Sequence, residues 1–355
     1  MRRREFIALV GGAAGASLFS SCPAGAQQSI PMVGFLSARS REESAHLVAA
    51  FRSGLAEQGA ADGQNVGIEY RFADGHYDRL PGQAAEFVRR PVSVLVAVGG
   101  DMTARAAISA TRTIPIVSVF IGDPVENGLI VSLNRPGGNV TGVSNLNAVI
   151  ESKRLGLLRE LVPQADTVGA LQNPDSPTAA SQRKDIEAAA RALGIRIQYW
   201  QASSDRELVA AFEGMAQNRI TALHVGADAF LASARDQLVQ LSARYALPAV
   251  YSLRDVPVVG GLMSYGVDLI DTYRLVGVYT GRIIKGDKPG DLPVVQPTKF
   301  QFVLNLTTAK ALRLHSVRRA FNRRRGDRIA ARCRLVALSG HPTHSGPCPL
   351  RGYCT

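Results

Sequence analysis

Short apolar runs alternate with amphipathic stretches along most of this chain, and the spacing predicts strands and helices in turn. The apolar runs of the first part are short and rich in β-branched residues, which is typical of buried strands. They lie at Ile30–Leu36, Val66–Arg71, Val92–Val98 and Ile114–Phe120. The stretches between them have helical spacing, at Glu42–Gln58, Arg79–Arg89 and Thr103–Ala110. This alternation predicts a lobe built on a parallel sheet.

The same alternation resumes after residue 150 and predicts a second lobe. The predicted helices are Glu151–Leu161, Thr178–Leu193, Asp205–Ala216 and Phe230–Tyr245. The predicted strands are Thr167–Leu171, Ile195–Trp200, Ala222–Val225 and Ala249–Tyr251. Short connections with right-handed crossovers place helices on both faces of each sheet. The predicted fold class is therefore α/β, with two Rossmann-like lobes.

The segment from Thr113 to Ser144 carries the strongest functional signal. Its strand ends at Asp123-Pro124, because proline removes the next donor of the ladder. A polar loop thus follows the strand, at the sheet edge where open α/β folds bind ligands. The turn-forming residues Arg135–Asn139 come next, and then the apolar piece Val140–Val143. We interpret that piece as a crossing between the two lobes.

This segment resembles the substrate-binding proteins of one family of ABC importers. Four later stretches agree with the resemblance, which runs from about Ile30 to Leu312: Ala243–Arg254, Gly260–Gly266, Gly277–Arg282 and Leu292–Phe300. The family has the type I periplasmic-binding fold, and its studied members bind aromatic or other amino acids. The resemblance implies a receptor that captures a small amino-acid-like or aromatic solute between two closing lobes and delivers it to an inner-membrane permease.

The resemblance also implies how the chain divides. Leu262–Tyr265 and the helix Leu269–Lys285 return to lobe 1, and the strand Gln301–Leu306 crosses back to lobe 2. Lobe 1 is then 27–143 plus 252–290, and lobe 2 is 144–251 plus 291–312. Three crossings form a multi-strand hinge, which lets the cleft close over a solute.

The N-terminus predicts export. Three arginines, Arg2–Arg4, precede the apolar run Phe6–Phe19, which is too short to span a bilayer, and Ala24–Ala26 supplies small residues for a signal peptidase. We expect residues 1–26 to be a signal peptide cleaved near Ala26, and the mature protein to be periplasmic. Arg3–Ile7 resembles a twin-arginine signal; an ordinary Sec signal or lipidation of Cys22 are the alternatives.

The net charge of +12 is concentrated at the ends of the chain. Residues 313–355 carry +9, from ten arginines and one aspartate, and residues 1–26 carry +2. The intervening body is nearly neutral and lacks the electrostatic footprint of a nucleic-acid-binding protein. We therefore expect no nucleic-acid partner.

The tail from Arg313 departs from the family's usual ending. The codons for Arg325–Ile329, regrouped by one base, permit Glu-Val-Ile-Glu followed by a stop, which is the ending the family resemblance implies. We hypothesise that residues 313–355 are an out-of-frame translation and that this Arg-rich tail is disordered.

Candidate ligand residues follow the predicted strands. The turn Val98–Thr103 ends a strand and opens a helix, so its free N–H groups suit a carboxylate. The candidates in lobe 1 are Ser37, Arg39, Gly100, Asp101, Thr103 and Asp123; those that follow the crossing are Asn145, Asn173 and Asp228. Asp101 alternatively only caps its helix, and Arg39 either pairs with an anion or is solvated. Asp123 or Asp228 would accept from an α-amino group.

The body of the chain carries no catalytic motif. A nucleophile elbow, a zinc-protease helix and a phosphate loop are all absent from the sequence, and residues 27–312 contain no cysteine. We predict no enzyme activity, no metal, no cofactor and a monomer whose partners are a small solute and the permease. The alternatives are a periplasmic sensor that feeds a signalling receptor, and an exported α/β enzyme.

Overall fold

The computed structural model describes residues 30–145, 148–314 and 333–338. The predicted signal peptide and most of the tail lie outside this range. The described chain forms two sheets with helices packed against them, and the predicted α/β fold class is confirmed.

The first sheet has five parallel strands in the order β2-β1-β3-β4-β5. They are β1 (Met32–Ser37), β2 (Gly67–Phe72), β3 (Val94–Val98), β4 (Ile116–Phe120) and β5 (Val140–Ser144). The helices between them are α1 (Arg41–Glu57), α2 (Leu80–Val88) and α3 (Asp101–Ala110). β3 and β4 are buried at every position, because helices cover both faces of the sheet.

The second sheet has seven strands in the order β12-β11-β10-β9-β8-β6-β7, with only β10 and β11 antiparallel. They are β6 (Thr167–Gln172), β7 (Arg196–Gln201), β8 (Leu223–Val225), β9 (Ala249–Tyr251), β10 (Met263–Val267), β11 (Phe300–Asn305) and β12 (Cys333–Leu338). The later helices are α4 (Ala148–Leu161), α5 (Ala179–Leu193), α6 (Asp205–Gln217), α7 (Ala229–Ser233), α8 (Arg235–Arg244), α9 (Asp255–Val258), α10 (Leu269–Ile284) and α11 (Leu306–Ala311).

Helix α10 belongs with the first sheet, as expected. It buries Tyr273, Val276 and Ile283 in the same apolar cluster as Phe51 and Leu55 of α1. The strand Leu262–Tyr265, in contrast, was expected in lobe 1, and this assignment is wrong. It forms the start of β10, which pairs with β9 and β11 in the second sheet. Only the helix after this strand returns to lobe 1.

The chain passes between the lobes after β5, between β10 and α10, and again before β11. At the last passage the backbone of Val295 donates to Gly142 of β5 at 3.0 Å and accepts from Ser144 at 2.9 Å. Two of the connecting segments are therefore hydrogen-bonded side by side, which is the arrangement expected of a multi-strand hinge.

Two further local features differ from the expectations. The predicted helix Phe230–Tyr245 is two helices, α7 and α8, which meet at Ala234, where the backbone leaves helical geometry with ψ at 13°. Within the tail, which we expected to be disordered, Cys333–Leu338 pairs in parallel with β11 as β12. Apart from Arg313 and Leu314, the rest of the tail lies outside the described residues, so the hypothesis of an out-of-frame translation stays a prediction.

Candidate functional site

A cleft of about 640 Å³, which includes space open to solvent, lies where the strands of both sheets end. Gly100 follows β3, Ile121 follows β4, Asn145 follows β5 and Ala227 follows β8. Much of the wall is formed by apolar side chains, which include Ile121, Ile150, Leu253, Val267, Leu269 and Tyr273. A cleft with apolar walls and few polar groups suits a small organic solute.

The turn Gly99-Gly100 contributes the N-terminus of α3 to the cleft. Both residues have positive φ, at 97° and 122°, and a Cβ on Gly100 would lie 2.8 Å from the Ile121 side chain. The positive φ values therefore favour glycine at both positions, and a Cβ on Gly100 would also displace the end of the Ile121 side chain. The first N–H groups of a helix have no partner within it, so this wall presents donors to an anion.

Asp101 does not line the cleft, although it was a candidate. Its carboxylate accepts from the Ile121 N–H at 2.8 Å and from the Asn127 amide at 2.8 Å, and the residue is 2% exposed. Burial raises the pKa of this carboxyl above its ordinary value, although hydrogen bonds from Ile121, Gly122 and Asn127 oppose the shift. Asp101 thus ties α3 to the loop after β4 and positions the glycine turn.

Asp228 lines the cleft and connects the lobes. Its carboxylate accepts from the Tyr77 hydroxyl at 2.5 Å, from the Asn173 amide at 3.1 Å and from the Leu231 N–H at 3.2 Å. Burial raises the pKa of the Asp228 carboxyl, against the effect of these bonds. Asn173 therefore holds the Asp228 carboxylate from within the second lobe, and Tyr77 donates to it from the first lobe.

Arg39 lines the cleft and pairs across it. Its guanidinium lies 3.1 Å from the Asp255 carboxylate, and the two side chains are 4% and 19% exposed. Asp255 belongs to α9 of the second lobe, so this buried ion pair joins the two lobes. The Nε atom of Arg39 is buried without a hydrogen-bond partner in the described part of the chain.

Of the remaining candidates, the structure brings only Asn145 to the cleft. Its Oδ1 atom is buried and has no partner among residues 30–145, 148–314 and 333–338. Ser37 accepts the Arg39 N–H at 3.1 Å, and Asp123 caps a turn by accepting from Val125 and Glu126 at 2.8 Å and 3.2 Å. Thr103 is fully buried and does not line the cleft.

The sequence did not point to Arg154, which also lines the cleft. It lies on α4 one turn after Ile150, is 2% exposed and forms an ion pair with Glu151 at 2.7 Å. A lysine-arginine pair in a helix normally faces solvent, and no motif distinguishes this one. The partners that hold it, Tyr265 and Glu151, are distant from each other in sequence.

The described residues contain neither a metal-binding cluster nor a membrane-spanning helix. No group of three or more histidine, cysteine, aspartate or glutamate side chains in this part of the chain has a geometry that holds a metal ion. No helix among the same residues is long and apolar enough to cross a membrane.

Comparison with known proteins identifies relatives of the whole two-lobe unit. A family model described as "ABC transporter substrate binding protein" matches residues 30–318. A tyrosine-binding protein of Clostridioides difficile (strain R20291) is 27% identical over 262 residues, 74% of this chain and 75% of that protein.

Solved structures agree with that match. The ABC domain in complex with L-Trp from Streptococcus pneumonia is 25% identical with a TM-score of 0.76, over 83% of this chain and 98% of that one. A conserved domain protein from Vibrio cholerae O1 biovar eltor has the same identity and TM-score, over 86% of this chain and 99% of that one. The predicted type I periplasmic-binding fold is confirmed.

Proposed function

The chain belongs to the family of ABC transporter substrate-binding proteins and is a solute-binding receptor of an ABC importer, and we propose that it captures an amino-acid-like or aromatic solute in the cleft between its lobes. The observation that carries the proposal is the combination of apolar walls with two buried polar atoms, Arg39 Nε and Asn145 Oδ1, that have no hydrogen-bond partner in the described part of the chain. The relatives that bind tyrosine and L-Trp support the solute class.

The polar groups of the cleft match those of an amino acid. The N–H groups at the start of α3 suit the carboxylate, and the unpartnered Oδ1 of Asn145 suits the ammonium group. We assign Asp228 as a second acceptor, because its carboxylate lines the cleft, where Tyr77 and Asn173 hold it in place. The apolar side chains between these groups would surround an aromatic ring.

Binding is coupled to closure of the lobes and to delivery. The paired hinge segments and the Tyr77–Asp228 and Arg39–Asp255 contacts support a hinge closure that encloses the solute. The family is extracytoplasmic and implies an ABC transporter partner. We place the mature protein in the periplasm as a monomer, after cleavage near Ala26, where the closed form docks on the inner-membrane permease without catalysing a reaction.

A thermal-denaturation screen of the purified protein tests the proposal. The panel contains the aromatic and aliphatic L-amino acids, aromatic acids, sugars and nucleosides. A solute at a hundredfold above its dissociation constant stabilises the folded state by about 2.7 kcal/mol. We expect one amino-acid-like or aromatic class to raise the unfolding midpoint.

Two variants test whether the solute that raises the unfolding midpoint binds in the cleft. Asn145→Ala removes the Oδ1 acceptor from the cleft and should weaken the response about tenfold in solute concentration, by loss of one hydrogen bond. Asn218→Ala removes the amide at the end of α6, which only caps its own helix, and should leave the response unchanged. A folded protein that responds only to sugars or nucleosides, or to nothing in the panel, contradicts the proposal.

A further inference from the structure

One guanidinium nitrogen of Arg154 has no hydrogen-bond partner among the described residues. Its Nε atom donates to the Tyr265 carbonyl at 2.7 Å, and its Nη1 atom donates to Glu151 Oε1 at 2.7 Å. The Nη2 atom has no hydrogen bond to any described residue, and it lies 3.7 Å from the position of a Cβ on Gly266. An arginine that is 2% exposed and lines the cleft thus retains a free donor.

The other side chains of this cluster fix the guanidinium in place. Glu151 is fully buried, and its second oxygen lies 2.5 Å from Nε2 of His224, which is fully buried as well. Burial acts to raise the pKa of Glu151, but Arg154 and His224 together hold it below its ordinary value. Glu151 is therefore ionised and balances the charge of Arg154, and the arginine has little freedom to turn away from the cleft.

We propose that Arg154 contacts the bound solute by donating from Nη2 to an oxygen acceptor, and that this contact determines which solutes the second lobe accepts. The inference rests on the proposed function, which supplies a solute in the cleft. A solute without an oxygen acceptor would displace water from this charged donor and leave it without a hydrogen bond. The resulting loss of binding free energy is larger than that for a missing methylene group.

The number of free donors limits the chemistry of the acceptor. Nε already donates to the Tyr265 carbonyl and Nη1 to Glu151. A carboxylate of the solute therefore cannot form a bidentate pair with Nε and Nη2. Glu151 already balances the charge, so the acceptor does not need to be an anion. The acceptor for Nη2 is an oxygen that belongs either to the solute's carboxylate or to a hydroxyl on its side chain.

The test uses the full protein, with L-tyrosine as the probe and calorimetric titration as the readout. Arg154→Lys keeps a positive charge beside Glu151 but removes Nη2, and we expect it to weaken L-tyrosine binding about 10- to 100-fold. The double variant Arg154→Met with Glu151→Gln removes both charges together, so that no carboxylate is left buried and unpaired. It should lose binding to the same extent while it remains folded, as circular dichroism would show.

A matched control separates the contact from a change in α4. Arg159 lies on the same helix, outside the cleft, and donates to the Ala165 carbonyl at 2.7 Å. Arg159→Lys should bind L-tyrosine like the wild type. If Arg154→Lys binds L-tyrosine within about twofold of the wild type, the inference is overturned while the receptor function stands. If the folded wild type binds no amino-acid-like or aromatic solute, the proposed function fails first and the inference fails with it.

Two analogues identify the oxygen that Arg154 contacts and exclude a purely structural role. Tyramine lacks the carboxylate of L-tyrosine, and L-phenylalanine lacks its hydroxyl. The analogue without the contacted oxygen should bind Arg154→Lys and the wild type within about threefold of each other, because the contact is already absent. If all three solutes lose affinity by the same factor, Arg154 acts only on the shape of the lobe and the inference is overturned.

Discussion

Asp101 shows how a residue can serve the cleft without touching it. Its carboxylate is buried and accepts only neutral donors, two backbone N–H groups and the Asn127 amide. Burial therefore favours the protonated form and raises the pKa of Asp101 in the folded state. Folding is then most favourable where this carboxyl is protonated, and stability is lost as pH rises from the ordinary aspartate value through the raised one.

The variant Asp101→Asn makes this dependence measurable. The variant does not titrate at this position, so its stability relative to the wild type should rise with pH across that window and become constant above it. The rise is at most about 1.4 kcal/mol per pH unit for one proton. Urea unfolding at a series of pH values measures it. Asn139→Ala, which loses hydrogen bonds to Thr111 and Ile114 but changes no charge, should shift stability equally at every pH. If the unfolding free energies of Asp101→Asn and the wild type differ by the same amount at every pH, Asp101 does not titrate with a raised pKa in the folded state.

The residues of the cleft were only partly predictable from the sequence. Arg39, Gly100, Asn145 and Asp228 were found because the residue after a parallel strand lies at the ligand-binding edge, whichever helix follows. The same rule selected Asp123, which turned out to cap a turn. It cannot find a residue that enters the cleft from the side of a helix. Helical spacing describes Arg154 as one more polar position, since its burial depends on β10, more than a hundred residues away.

At the level of elements, α1 and α10 pack through glycines at backbone contact. A Cβ on Gly54 would lie 1.8 Å from the Arg274 carbonyl oxygen, and one on Gly277 would lie 2.1 Å from the Phe51 carbonyl oxygen. Flexible side chains cannot relieve such overlaps, because both obstacles are main-chain atoms. The pair fixes α10, and with it the passage from β10 back to lobe 1.

Replacement of Gly277 by alanine should therefore push the two helices apart. We expect Gly277→Ala to lower the free energy of unfolding by about 1–3 kcal/mol, as overpacked cores do. Gly156→Ala is the matched control, because this glycine lies within α4 and a Cβ there would meet nothing within 4 Å. The control should gain about 0.5–1 kcal/mol, since alanine favours the helix. Both values come from urea unfolding, and equal effects at the two positions would rule out the contact argument.

Element types were more predictable than element partners. Apolar runs and helical spacing located β1 to β4 and α1 to α3 to within a few residues. The strand that begins β10 was given to the wrong lobe because periodicity describes a strand's faces and not its neighbours. The pairing of β12 with β11 was also unexpected, since an arginine-rich composition predicts a solvated tail.

On the scale of the whole molecule, the lobes are joined by three chain passages and by polar contacts at the cleft. The number of passages followed from the family resemblance, but the second passage was expected before β10 and lies after it. The contacts did not, because Tyr77 and Asp228 lie 151 residues apart, and Arg39 and Asp255 lie 216 apart. These contacts exist only when the lobes face each other, so they belong to the energetics of closure and not to the folding of either lobe.

The Tyr77 hydroxyl provides the clearest test of that argument. It donates to Asp228 at 2.5 Å and accepts from the Ala229 N–H at 3.2 Å, so both of its partners lie in the second lobe. Tyr77→Phe keeps the ring and removes both hydrogen bonds. A bond to a charged group contributes about 1.5–3 kcal/mol, so the closed form should lose about that much relative to an open one.

Two measurements follow for Tyr77→Phe. Solute affinity should fall about 10- to 100-fold, because binding would then have to supply the lost closing energy. The radius of gyration from solution X-ray scattering without solute should increase, and saturating solute should restore it. Tyr199→Phe is the control, since that hydroxyl bonds to Arg183 and Glu187, which both lie in the second lobe. If Tyr77→Phe matches the wild type in both measurements, the contact between Tyr77 and Asp228 does not stabilise the closed form, and closure depends on the solute and on the other contacts between the lobes, which include Arg39–Asp255 and Ser233–Glu43.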